Sequence, residues 1–530
     1  MGIEIGIIVS TLVDKEKWLA VYNEAFDLAK KLGLADWEET NIHGHIVRCL
    51  VPVEERKWNG KPGWWAVANY TYGDPCEGFF FPKELIKPED NKPIDILVRR
   101  AHDIEVIAIT NPGKNYECIW ENKTQGHTYH LDLLAIGCLV QDRLGDDALV
   151  NSDINAGQCR EAVKRANEYL DKPISVPYQC DPNRWIERIK RITIKGIDRI
   201  RIAIDMYIGK EDVDFGEKLR SLFSHDELCS YWKEEFSEYS MRASGFGWTL
   251  EKYLEMGFDL GDLCDLINYT DEDGTDLHEK FICKVMDSKI YLKEKDCTDL
   301  LTKDPDDPAL YGIGAEIIRH FASVGRIKNV DRYIAIDELR KTFREKLGSE
   351  CDVDAIIDKY LEREKELNNA ESFEDESEEI EYADLNRVLK KSKDRLEKLA
   401  DEYDIYVEEH LQFYEQDCTI EPLIVKKICR VLEFCNTIRE SDEYKKAAKK
   451  SINNKEKWLI ANSEQFYGLR DRDWERIFEN LEKEPKCFER YYPLFRINLN
   501  DSSVKEIVMG LVINDDLYEH ALAVYSIIRD

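Results

Sequence analysis

Residues 3–9 form a short apolar run, suited to a buried strand. After Asp14 the period changes. Trp18, Tyr22, Ala25, Phe26, Ala29 and Leu32 fall mostly three or four apart, predicting a helix that Gly33 stops. Residues 45–53 and 64–72 then read as strands, the second alternating Trp64, Ala66, Ala68 and Tyr70 with its neighbours. Residues 104–110 and 116–120 flank Asn111-Pro112-Gly113-Lys114, and Pro followed by Gly suits the centre of a type II turn, so these two segments are expected to form a hairpin. There are too few helical crossovers here for a parallel sheet. The expectation is an α+β fold: an N-terminal mixed domain with a mostly antiparallel sheet, followed by a large, mainly helical region.

Helical periods dominate the rest of the chain. Residues 128–144 contain Leu-Leu-Ala-Ile-Gly-Cys-Leu-Val, right for a buried helix and too short for a bilayer. Residues 153–170 show a weaker amphipathic period. Isoleucines at 186, 189, 197, 200, 204 and 208 predict one or two helices across 184–210, weakened at Gly196. Helical spacing continues through most of 215–367. Residues 368–384 hold eight acids and no base with few large apolar groups, the composition of a mobile linker. Beyond it, Leu385, Leu389, Leu396, Leu399, Tyr403, Tyr406 and Phe413 follow a heptad-like spacing interrupted by Ser392 and His410. The domains expected are 1–180, α+β; 181–367, mainly helical; 368–384, linker; and 385–530, helical.

Composition narrows the function. The chain of 530 residues carries 107 acids against 75 bases, a formal net charge of -32. Such an excess argues against a broad face for duplex nucleic acid or anionic lipid. The first ten residues lack the basic region and cleavage site of a signal peptide. Fifteen cysteines are scattered with no Cys-x-x-Cys pair, which reads as reduced thiols in a cytoplasmic protein.

The chemistry-bearing residues are few. Five of the ten histidines lie in the first 130 residues: His43, His45, His102, His127 and His130. On a strand, His43 and His45 would share a face, and His127 and His130 would lie one turn apart at a helix start. With Asp132 or Asp103 as carboxylate, these pairs are a candidate divalent-metal site; Asp132 would not share the helical face of His130. Arg184, Arg188, Lys190, Arg191, Lys195, Arg199 and Arg201 give seven bases against two acids, Glu187 and Asp198, in eighteen residues. This island is a candidate for phosphate or nucleic acid, or the solvated side of an amphipathic helix. Gly312 and Gly314 follow no strand and make no dinucleotide turn. Close acid pairs, such as Asp259 and Asp262 or those at 304–307, are common in so acidic a chain.

Whether the protein is an enzyme is left open, because no nucleophile elbow, phosphate loop or zinc-protease helix motif is present. The first expectation is a cytoplasmic multidomain interaction or regulatory protein with a protein partner, or self-association, through its helical region. It needs no cofactor and no membrane. By base rate, and not from any residue, it fits a bacterial accessory system such as phage defence. The alternative is a metal-dependent hydrolase or nuclease using the N-terminal histidines and the basic island.

Overall fold

The computed structural model describes residues 3–71, 73, 75–87, 95–97, 115–124, 127, 129–271, 273–296, 328–370, 422–463, 466, 468–497 and 502–529. Its architecture is α+β, with small antiparallel sheets built from N-terminal segments and a largely helical remainder. The chain packs as two compact units. One draws on Met1–Val21, Leu85–Gly126 and His130–Leu385, the other on Tyr22–Glu84, His127–Tyr129 and Asn386–Asp530. No helix among the described residues is long and apolar enough to cross a membrane.

The first unit is organised on strand β1 (Glu4–Ser10), whose residues from Ile5 onward are all buried. That is the apolar run expected of a central strand, because it packs on both faces. Strands β8 (Tyr116–Lys123) and β9 (Ala148–Asn151) pair antiparallel on its two sides. The strand expected at 116–120 is present and runs on to Lys123, and its observed partner is β1; residues 104–110 lie outside the described residues. The helix His130–Leu144 is buried along nearly its whole length. From it Gln141 accepts from the Val150 amide (2.8 Å) and donates to Gln179 (2.7 Å), which in turn donates to the Val150 carbonyl (2.8 Å). A buried amide pair thus satisfies both backbone groups of one residue of β9.

The isoleucine-rich stretch forms two helices, Pro182–Arg191 and Ile197–Asp205, separated where Gly196 adopts φ +69°. A left-handed backbone costs a residue with a Cβ energy that glycine escapes, so the break falls there. Further helices, from Val213–Leu222 to Val353–Ala370, close one apolar core with these two.

In the second unit the helix Lys15–Lys31, from Tyr22 onward, is followed by two tight hairpins. Strands β2 (Leu34–Ile42) and β3 (His45–Pro52) turn through His43 (φ +49°) and Gly44 (φ +82°). Strands β4 (Glu55–Trp58) and β5 (Lys61–Ala66) turn through Asn59 (φ +48°) and Gly60 (φ +80°). Two consecutive positive φ values mark the type I′ turn, whose twist matches that of the strands. Strand β6 (Ala68–Asn69) joins β2, and β7 (Phe79–Pro82) joins β5. Along β5 the pleat sends Trp64 into the core, stacked on Phe81 at 5.2 Å, and turns Trp65 the other way. Helices between Pro422 and Arg529 share a core with Ile42, Val47, Cys49 and Val51 of β2 and β3.

Residues 368–370 end the helix Val353–Ala370, and the remainder of the acidic stretch lies outside the described residues. So do the heptad-like segment 385–413, the Gly312–Gly314 turn, the acids at 304–307, and His102 with Asp103.

Candidate metal centre

The helix His225–Ser237 starts on a capping box: Ser224 Oγ accepts from the Glu227 amide (3.3 Å) and Glu227 accepts from the Ser224 amide (2.9 Å). This cap places His225 in the first turn and Cys229 one turn on, so the four-residue spacing stacks imidazole and thiol on one face. A second helix, Leu260–Leu266, is capped by Asp259, whose carboxylate accepts from the Asp262 amide at 2.9 Å. The acid pair noted in the sequence thus divides its work. Asp259 holds the helix start, and Asp262 faces His225.

Cys229 Sγ lies 3.5 Å from Nε2 and 3.9 Å from Nδ1 of His225, and Nδ1 lies 3.7 Å from Asp262 Oδ2. One ligand atom from each residue falls within 4.8 Å of the others. Zinc bonds of roughly 2.0–2.3 Å at tetrahedral angles put neighbouring ligands about 3.5 Å apart; through Nδ1 of His225 the thiol at 3.9 Å and the carboxylate at 3.7 Å come near that spacing. Thiolate, imidazole and carboxylate together are a donor set for a borderline-soft cation. Burial, and then the charges of Asp262, Asp226 and Asp265, raise the Cys229 thiol above its ordinary value. The same negative field attracts a cation, and a coordinated cation reverses the effect on the thiol.

The three donors line a cavity of about 380 Å³ shared with Arg220, Phe223, Trp232, Tyr253 and Phe258. Trp232 meets Tyr253 and Phe258 edge to face at 5.2 and 5.4 Å. Tyr253 is fixed by donating to the Asp259 carbonyl at 2.8 Å. Arg220 lies 5.2 Å above the Phe258 ring and donates to the carbonyls of Met256 (3.4 Å) and Gly257 (3.3 Å). The site therefore combines three metal donors, a fixed cation and an aromatic wall.

The histidines singled out from the sequence are placed differently. His43 is in the hairpin turn and not on a strand; its Nδ1 lies 3.9 Å from Glu482. His45 is on β3 with Nε2 2.9 Å from the buried Glu456. Both rings reach Phe478, at 5.9 Å. His127 stacks on Tyr129 at 6.3 Å, and Asp132 is buried with Arg165 at 3.1 Å. Among the described residues the one group of three donors in reach of a common ion is His225, Cys229 and Asp262, which includes neither these four nor His130.

His130 is fully buried, its Nδ1 2.7 Å from Thr124 Oγ1. Thr124 gives its hydroxyl proton to the Ile3 carbonyl (3.2 Å), so it accepts from His130 and the imidazole carries its proton on Nδ1. Among the described residues Nε2 has no hydrogen-bond partner, and burial pushes the His130 pKa down to about 4. The unfolded chain takes up this proton near 6.5, so stability is full above that pH. It falls as pH drops toward 4, by about 3 kcal/mol at most. Burial lifts Asp36 to about 6, and burial with Asp205 and Glu238 lifts Glu235 to about 7; both act in the opposite direction. Urea unfolding of wild type and His130→Gln at pH 7 and pH 4.5 isolates the histidine. The variant's deficit is expected to shrink at the lower pH, and an unchanged deficit would refute the assignment.

The basic island is largely paired. Arg184 donates to the Val176 carbonyl (2.8 Å), Lys190 meets Glu187 (2.6 Å), and Arg191 meets Asp146 (3.0 Å). Arg188 is buried between Asp95 (2.6 Å) and Asp146 (3.1 Å). Arg199 caps the Ile189 carbonyl and Arg201 meets Glu234. Lys195 lies between the two helices. Comparison with models of known protein families, with curated proteins and with solved structures finds no match.

Proposed function

We propose that the protein is a metal-dependent hydrolase acting at His225, Cys229 and Asp262 on a small substrate seated in the adjoining cavity. The observation that carries this reading is the convergence of three different donors at coordinating separations on the edge of that cavity. Three protein ligands with a further position open is the arrangement of catalytic zinc, which lowers the pKa of a bound water to about 7. Arg220 supplies a charge for an anionic substrate group, and Phe223, Trp232 and Phe258 supply the dry wall that strengthens such contacts. A cytoplasmic location is part of the proposal, supported by buried thiols such as Cys49, Cys138, Cys159 and Cys435 packed as small core side chains.

Calorimetric titration of the chelator-stripped full chain with Zn²⁺ tests the reading. One ion per chain is expected, with affinity rising with pH as the thiol gives up its proton. Cys229→Ser and Asp262→Asn each remove a ligand, so each is expected to weaken binding by at least the about 10–100-fold that loss of an outer-shell partner costs, and hydrolysis of small anionic esters should return only with metal. Absence of zinc uptake, or equal uptake by both variants, would overturn the centre. That result would favour the other reading, an interaction or regulatory protein working through a protein partner or self-association.

A further inference from the structure

The second unit leaves three tryptophans around one groove of about 480 Å³, together with Asp36, Glu38, Glu39, Arg48 and Arg56. On the outer face of the β4–β5–β7 sheet, Trp58 packs tilted against Trp65 at 4.6 Å and Trp65 against Phe80 at 6.0 Å. Trp58 nevertheless remains 46% exposed. Trp65 cannot retreat, because the backbone at Gly78 lies so close that a Cβ there would meet its ring at 2.0 Å. Trp37 forms the opposite side, with the Arg48 guanidinium 4.9 Å from its ring. Arg56 is held by Asp36 (2.9 Å) and by the Trp37 carbonyl (3.1 Å). The groove is thus a preset aromatic platform lined by both carboxylates and guanidinia.

We propose that this groove binds a neutral carbohydrate, stacking a sugar ring on Trp58 and Trp65 and pairing its hydroxyls with Glu38, Glu39 and Arg48. Each alternative charge meets an opposing group. A polyanion faces three carboxylates within a chain of net charge -32, and a cation seeking Asp36 or the Trp37 ring finds Arg56 and Arg48 already there. Hydroxyls both donate and accept, so they satisfy carboxylates and guanidinia alike. The apolar face of a sugar ring covers exposed indole, and the volume lies within the range of about 300–1,000 Å³ usual for small-molecule sites. The groove stands independently of the metal centre.

Titration of the full-length protein with neutral oligosaccharides (maltohexaose, cellohexaose, xylohexaose, mannohexaose and chitohexaose), read by tryptophan fluorescence and calorimetry, tests the proposal. At least one is expected to bind, with Trp58→Ala weakening it about tenfold or more and Trp58→Phe less. Glu38→Gln, an exposed change that leaves the aromatic platform in place, is expected to weaken it several-fold. Binding of none of the five would overturn the proposal. Equal binding by Trp58→Ala and Glu38→Gln, or tighter binding of adenosine or choline than of any sugar, would also overturn it.

Discussion

Replacing Arg470 with alanine is expected to cost about 3–5 kcal/mol of stability, a large part of what a domain of ordinary size possesses. Arg470 and Asp473 are both buried, joined through Nε at 2.6 Å and Nη2 at 2.8 Å. The Arg470 amide also donates to the same carboxylate at 2.9 Å, closing a box at the start of the helix Asp471–Lys483. The guanidinium further donates to the carbonyls of Tyr70 (3.4 Å) and Thr71. Alanine leaves the buried Asp473 carboxylate with the backbone amide as its remaining donor from residue 470 and removes the guanidinium from the part-buried carbonyls of Tyr70 and Thr71; stranding a buried charge costs more than the net value of the pair. Urea unfolding of Arg470→Ala, Asp473→Ala and the double variant checks this. The double variant should lose less than the sum of the singles, because it strands no charge. Additive losses would show that the pair is not coupled.

Trp185→Ala is expected to cost about as much, about 3–5 kcal/mol, in the other unit. The indole is completely buried on the helix Pro182–Arg191, stacked on Tyr178 at 5.9 Å, and its Nε1 donates to the Ala203 carbonyl at 2.7 Å. Ala203 belongs to the helix beyond the Gly196 break, so one side chain ties the two isoleucine-rich helices together. Alanine opens a cavity and orphans a carbonyl. Trp185→Phe keeps most of the packing and loses the donor, for an expected loss of about 1–3 kcal/mol. Hydrogen exchange should show amides of Ile197–Asp205 opening more readily in both variants. A loss under about 1 kcal/mol for alanine would mean the neighbouring core closes over the gap.

The candidate site was half legible. His225 and Cys229 are four residues apart, and that spacing alone places two donors on one face of a helix. Asp262 looked like one of many acids, and nothing local ties it to His225, since the packing of two separate helices brings them together. The N-terminal histidines drew attention because they cluster in sequence. His45 instead meets Glu456 and His130 meets Thr124, partners respectively far along the chain and just before a helix start. The tryptophan groove went unseen for a related reason. Trp37, Trp58 and Trp65 lie on three strands, and two of those, β2 and β4, carry charged residues that mask a strand pattern.

Local chemistry in the chain determined the α+β class, the buried strand at 4–10, the helix after Asp14, the break at Gly196 and the buried helix near 130–144. Each follows from the spacing of apolar groups and from backbone preference, which act within a few residues. Only tertiary structure decided that β8 and β9 flank β1, that β3 shares a core with helices some 400 residues later, and that Asp262 faces His225. Those pairings are selected by the complementarity of whole packed surfaces, a property that no short stretch of residues carries.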